Sequence, residues 1–170
     1  PAIAQACSDL ADVLTGSGIA VERRDALPAI DAIDAHALTV MFAESARVHR
    51  AHIDDPAVAS VLRRRLAKGL EVTDERLATS IEARPRLTRD FEDQVLAGAD
   101  VAVLPVMAIG TPSAVECDPA SNHFSPKTLY AMSRFTRFVN MLGFPAVALP
   151  AGFDKHGLPV AMQIIGRPGS

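Results

Sequence analysis

The sequence has no tryptophan, one tyrosine and only two cysteines, Cys7 and Cys117, among its 170 residues. Two thiols so far apart, neither in a Cys-x-x-Cys spacing, exclude a disulfide framework and point to a reducing, cytoplasmic setting. No uninterrupted apolar run approaches the roughly 20 residues that span a bilayer, and no basic-then-apolar leader opens the chain, so no membrane partner is expected. An excess of positive charge is also missing. With 17 basic and 20 acidic side chains, the formal charge of -3 removes the broad positive field that direct nucleic-acid binding needs.

The usual nucleophile signatures are absent as well. Gly-x-Ser-x-Gly does not occur, Ser125-Pro126-Lys127 has the wrong spacing for Ser-x-x-Lys, and neither cysteine has a neighbouring histidine pattern, so no catalytic residue is assigned within the chain. Cys7 reads as a small core residue on an apolar helical face. His49 and His52 stand three apart with Asp54 and Asp55 behind them, but without the His-Glu-x-x-His arrangement they read as solvated side chains near a helix end. Neither a metal nor a cofactor is expected. Arg63-Arg64-Arg65 fans out over much of a helix and reads as a solvated face rather than a phosphate site.

What is present is a globular composition, 49% apolar and 22% charged, in a length suited to one domain with one sizeable core. The first residue is Pro1, and an apolar strand ends only five residues before the other terminus. Both margins are tighter than natural domain ends usually are, so a piece of a longer protein is expected. Ile3, Cys7, Leu10 and Leu14 predict a first helix stopped at Thr15-Gly16-Ser17-Gly18, and Ile19 to Val21 a short strand. A long helix from Pro28 carries Ile30, Ile33, Ala37, Val40, Met41 and Val48, with Glu44 breaking its apolar stripe. Asp55-Pro56 predicts a helix start and Gly69 its end; a further helix runs from Thr73 or Asp74 to Gly98, with Pro85 expected to kink it.

Val101 to Leu104, closed by Pro105, reads as a strand covered on both faces. Residues 108–125 read as a loop, and Ser125-Pro126 as the start of one helix reaching Gly143. Ala146–Leu149 and Val160–Ile165 read as a hairpin pair about a tip at Asp154 to Gly157. Strands alternating with helices predict an α/β layer structure. Arg84 lies on the apolar stripe of its helix, seven residues from both Leu77 and Phe91. A cation there needs a carboxylate, supplied either by a bound substrate or internally by Glu44, the second being the stronger reading.

The stretch Asn140-Met141-Leu142-Gly143-Phe144-Pro145-Ala146-Val147-Ala148-Leu149-Pro150-Ala151-Gly152-Phe153, followed by Gly157-Leu158-Pro159-Val160-Ala161-Met162-Gln163-Ile164-Ile165-Gly166-Arg167-Pro168, closely resembles the end of amidase signature family enzymes. These include bacterial amidases and the amidase-type component of the tRNA-dependent amidotransferases. Asp100 to Pro105 resembles the family's entrance to a buried strand. Departures are visible too: Leu104 and Val106 stand where the family commonly has Thr, and Ala161 where it has Gly, which bears on substrate class more than on fold.

The resemblance implies a partial amidase-signature fold, a mixed sheet with helices on both faces. Residues 1–170 would then be the single C-terminal part of a larger amidase domain, supplying far strands and one wall of the substrate pocket. The nucleophilic Ser, the bridging Ser and the Lys base would lie in an N-terminal part absent here, so the chain alone would be inactive. It further implies a small-molecule amide as partner of the full-length enzyme, with Arg84, Asn140 and Phe144 on the substrate side; Arg86 is a shifted counterpart of Arg84. A free-standing, non-catalytic α/β ligand-binding or subunit-interaction module is the alternative. A partial sheet leaves apolar surface, so a homo-oligomer is expected.

Overall fold

The computed structural model describes residues 2–24, 27 and 30–169. In chain order it runs α1 (Ala2–Gly16), α2 (Ile30–Val48), α3 (Ser60–Leu70), α4 (Asp74–Val95), β1 (Val101–Pro105), α5 (Ala114–Cys117), α6 (Pro126–Met132), α7 (Arg134–Leu142), β2 (Ala146–Phe153) and β3 (Pro159–Gly166).

The strands form one three-stranded sheet in the order β1-β3-β2, and both pairs are antiparallel. The β2–β3 hairpin turns at Asp154, whose carboxylate accepts the backbone N–H groups of His156 and Leu158, while Gly157 supplies the left-handed φ of 76°. The layered α/β fold with helices on both faces is observed. The described strands themselves pair only antiparallel, because a short hairpin joins β2 to β3 and β1 runs against β3.

Side chains alternate across the sheet. One face presents Ala102, Leu104 and Ile165 to a core formed with α2, α4 and α7: Ile33, Ala37, Leu87, Phe91, Leu96, Phe138 and Leu142. Phe91 is its hub, with ring centroids 5.4 Å from Phe138 and 5.1 Å from Phe144. The other face carries α1 at one end, where Cys7 Sγ reaches Met162 Sδ at 3.7 Å. Beyond α1 that face is open, with Val101, Val103, Val147 and Leu149 all exposed. The strand at 101–105 is therefore covered on one face rather than two.

Local differences from the sequence expectations have physical causes. Ile19 to Val21 is exposed irregular chain, because no strand lies beside it. Asp55 turns the chain locally by accepting the Ala57 N–H at 2.8 Å, and α3 begins only at Ser60. The start of α2 at Pro28 lies outside the described residues. The helix α3 ends at Leu70, one residue past Gly69, and a Cβ on Gly69 would come 2.0 Å from the Phe42 carbonyl oxygen and 2.6 Å from Ala46 Cβ. Towards the end of α2 that meets Gly69 the buried residues are Ala43 and Ala46, small residues that a search for large apolar periodicity passes over. Thr73 caps α4 by accepting the Arg76 N–H, and the helix runs on through Pro85 to Val95.

Residues 108–125 contain the short helix α5, closed by Glu116 against the N–H and hydroxyl of Ser113. The expected helix from Ser125 to Gly143 is split at Ser133. There the Arg137 guanidinium donates to Ser133 Oγ at 2.6 Å and to the Tyr130 carbonyl at 2.8 Å, tying the break from inside.

Candidate functional site

The segment α7–turn–β2 positions the candidate site. Helix α7 has a strongly one-sided sequence, burying Arg137, Phe138, Val139, Met141 and Leu142. Asn140 is left on its exposed side. The helix ends on Gly143 at φ 79°, whose N–H and that of Phe144 both donate to the Val139 carbonyl, a left-handed cap. The chain then enters β2 through Pro145 and the small residues Ala146 and Ala148.

Between this helix and β2 lies a shallow groove of about 180 Å³, lined by Val106, Thr136, Asn140, Ala146, Ala148 and Gln163 among others. Gln163 is buried, and its Nε2 donates to the Phe135 carbonyl at 2.6 Å and the Pro105 carbonyl at 3.2 Å. One side chain thus fixes the end of β1 and the start of α7 to β3, and so the groove's width. A larger hollow of about 330 Å³ lies by Ile53, Asp54, Ser60, Arg63 and Arg64. Its charges are of both signs and Arg63 is spent on the Val58 carbonyl, so its lining offers less than the first groove's.

The three residues assigned to substrate binding occupy different surroundings. Asn140 lines the groove. Phe144 is buried in the core on Phe91. Arg84 is exposed on α4, and its Nη2 lies 2.6 Å from where a Cβ on Gly143 would stand, one helical turn from Asn140. Arg84 and Asn140 are thereby brought to the same end of α7, whereas Phe144 packs behind them. Glu44 is exposed on α2 and no ion pair joins it to Arg84 among the described residues; the internal pair is not formed. Arg86 pairs instead with Asp90, one turn along the same helix, at 3.0 Å.

Among the described residues the buried cation is Arg137. Its guanidinium meets Asp34 of α2 in a two-pronged contact at 2.7 and 2.9 Å, and it lies 5.7 Å from the Tyr130 ring centroid. Tyr130 also carries Arg65 over its ring at 5.3 Å, so the Arg63–Arg65 run is only partly a solvated face. The clue to Arg137 was in the sequence: an Arg followed by Phe138 and Val139 on a strongly amphipathic helix, with Asp34 next to Ile33. Gln163 had a similar signal, a single amide in an otherwise apolar strand.

Burial pushes the Cys7 thiol up, away from thiolate chemistry. His49 and His52 are exposed, and among the described residues no three His, Cys, Asp or Glu side chains converge as a metal site. No described helix is long and apolar enough to cross a membrane.

Comparison with known proteins places this architecture. Over 87 residues the chain is 40% identical to the A component of the glutamyl-tRNA(Gln) amidotransferase of Ruegeria pomeroyi, covering 51% of this chain and 17% of that one. The corresponding component from Mesorhizobium japonicum is 39% identical over 87 residues, 51% of this chain and 16% of that one. A crystal structure of an amidase superposes on 98% of this chain with a TM-score of 0.81 and 24% identity, this chain covering 38% of it. The 6-aminohexanoate cyclic dimer hydrolase superposes on 99% with a TM-score of 0.79 and 24% identity, again covering 38% of that protein. The chain thus spans well under half the length of these relatives, and the structural likeness speaks to fold. The Amidase family profile matches residues 1–170, and the chain belongs to that family.

Proposed function

We propose that this chain is the C-terminal part of an amide hydrolase that converts a carboxylic amide to an acid and ammonia or an amine. The observation that carries the reading is the groove beside Asn140. It is built by the same α7–turn–β2 residues that resemble the family's end, so the part of the chain most like an amidase is also the part that forms a binding surface. In this reading the chain supplies one wall of the substrate pocket, with Arg84 and Asn140 facing substrate and Phe144 holding the turn between them from behind. The attacking Ser, the second Ser that relays its proton and the Lys base lie in the N-terminal part of the full-length enzyme. Backbone N–H groups there stabilise the oxyanion. No cofactor takes part, and the setting is cytoplasmic.

The second reading, a non-catalytic subunit-interaction module, is favoured by one observation: the open sheet face of Val101, Val103, Val147 and Leu149. Such a face promotes association, and self-association of the chain fits either reading. The full-length protein separates them. Ammonia release from a panel of aliphatic, aromatic and acid-bearing amides is expected from the full-length protein and not from the 170-residue chain. Turnover by the isolated chain, abolished by changing one of its own serines, would overturn the division of labour. Absence of turnover from the full-length protein on every amide would leave the interaction module.

A further inference from the structure

Gln163 is a buried polar side chain with 3% of its surface exposed. It stands in the middle strand β3, opposite Leu104 on β1 and Ala148 on β2, on the sheet face that meets α7. Its amide nitrogen has two hydrogens, and both are spent: one on the Phe135 carbonyl at 2.6 Å, the other on the Pro105 carbonyl at 3.2 Å. Two carbonyl partners also settle which end of the amide is nitrogen, since an oxygen placed there would face two acceptors.

The oxygen is left over. Gln163 Oε1 accepts no hydrogen bond from a described residue, yet among those residues no fully enclosed side-chain nitrogen or oxygen lacks a partner. Oε1 therefore keeps a strip of accessible surface, and the place where Gln163 reaches the surface is the groove beside Asn140. Turning the amide away would orphan two backbone carbonyls, so the acceptor is presented in one orientation. An acceptor so held and so nearly enclosed discriminates sharply between a ligand that brings it a proton and one that leaves it unpaired.

The rest of the lining shows what kind of donor fits. Ala146 and Ala148 leave room on the strand side, Val106 and Val139 make the walls apolar, and Asn140 and Thr136 add only neutral polar groups. Among the described residues no ionisable side chain lines the groove, so a cationic donor would lose its hydration there without meeting a countercharge. A neutral N–H meets an acceptor and apolar walls.

We propose that Gln163 is an amide-selecting residue: its Oε1 accepts the N–H of the substrate's scissile amide in the groove, so that the site favours amides over esters of the same shape. This rests on the amide-hydrolase reading above. An ester puts an oxygen where the amide has its N–H, and two acceptors then face each other without a proton between them.

The test uses the full-length enzyme with N-methylbutyramide and methyl butyrate, which differ only in N–H against O. The ratio of kcat/KM for amide over ester is compared between variants, so that the ester's greater intrinsic reactivity cancels. Gln163→Met keeps the length of the side chain and removes the acceptor. It is expected to lower the ratio by roughly fivefold or more, the scale of one hydrogen bond, whereas a groove that has only loosened slows both substrates alike and leaves the ratio in place. Gln163→Lys keeps N–H groups for the Phe135 and Pro105 carbonyls and turns a donor toward the groove; it is expected to lower the ratio at least as far. If the Met variant shows no cooperative unfolding transition, the Lys variant decides alone. An unchanged ratio in either folded variant overturns the proposal. If the unmodified enzyme hydrolyses neither compound, the amide-hydrolase reading fails separately. In that case, or if neither variant folds, ligand-observed NMR on the unmodified protein decides the acceptor. Tighter binding of N-methylbutyramide than of methyl butyrate sustains it, whereas equal binding of the two, or none, refutes it.

Discussion

Helix α7 joins two regions that treat a guanidinium in opposite ways. In its first turn, Arg137 is buried and met by both oxygens of Asp34, by a backbone carbonyl and by Ser133 Oγ. Arg134 beside it is held by Asp31 of α2 at 2.5 Å. At its far end, Arg84 lies over Gly143 without a carboxylate. The helix dipole explains the contrast: a cation near the positive N-terminal end needs anions to sit there, and α2 supplies two, whereas the negative C-terminal end holds a cation unaided. Where the guanidinium is enclosed and fully partnered it serves the fold. Where it is exposed, its loss should cost the fold little.

The strongest way to break this contrast is to remove each arginine in turn. Arg137→Met strands the largely buried Asp34 without its partner, and a loss of about 3–5 kcal/mol in urea denaturation is expected. Arg84→Met removes only an exposed cation from a helix end, for which about 0.3–1 kcal/mol is the scale. Replacing both members of the buried pair, Arg137→Met with Asp34→Leu, is expected to recover most of the loss. Equal losses from the two single variants would mean that Arg84 is as structural as Arg137.

A smaller effect sharpens the same distinction at glycine. Gly69→Ala drives a methyl into the Phe42 carbonyl oxygen, so α2 and α3 must separate, at a cost of about 1–3 kcal/mol as for other overpacked sites. Gly143→Ala meets a movable side chain and carries mainly the left-handed strain of about 1–2 kcal/mol. Thermal unfolding of the two variants, compared at equal concentration, is expected to rank Gly69→Ala the less stable; the reverse order would place rigid packing at Gly143.

Much of this was legible from residue types alone. Helical periodicity and capping residues such as Thr73 and Ser125 located α1, α4 and α6, and the hairpin with Asp154 at its tip followed from turn chemistry. The logic that a cation on an apolar stripe needs a carboxylate was sound, yet it selected Arg84 and Glu44 where the fold pairs Arg137 with Asp34. Sequence spacing reports which face of a helix a residue occupies, and not which face the tertiary contacts enclose. The α2–α3 contact was hidden for a related reason: Ala43, Ala46 and Gly69 carry little hydrophobic signal, and their value lies in letting backbones approach. The groove beside Asn140 has no signature in residue spacing, because it is assembled from α7, β2, β3 and the residue after β1.

The smallest expected effect concerns a third way of holding a charge, without any cation in direct contact. Asp154 at the hairpin tip is half-buried, and its carboxyl is held below the ordinary range. The Leu158 N–H at 2.9 Å is the leading cause, with the His156 N–H at 2.8 Å and the nearby charges of His156 and Lys155 adding to it. Because the folded-state value is depressed, the stabilisation is fully present above the unfolded value of about 3.9 and is lost as the pH falls through the lower folded value. Carboxyl chemical shifts followed by NMR from neutral to acid are expected to place the Asp154 midpoint below about 3.9, with the Leu158 amide signal moving at the same pH. Asp154→Asn retains an acceptor for both N–H groups, so it should keep the turn and remove that shared transition. A midpoint at or above the ordinary value, or a Leu158 amide that ignores it, would show that the turn is held by Gly157 and the strand pairing alone.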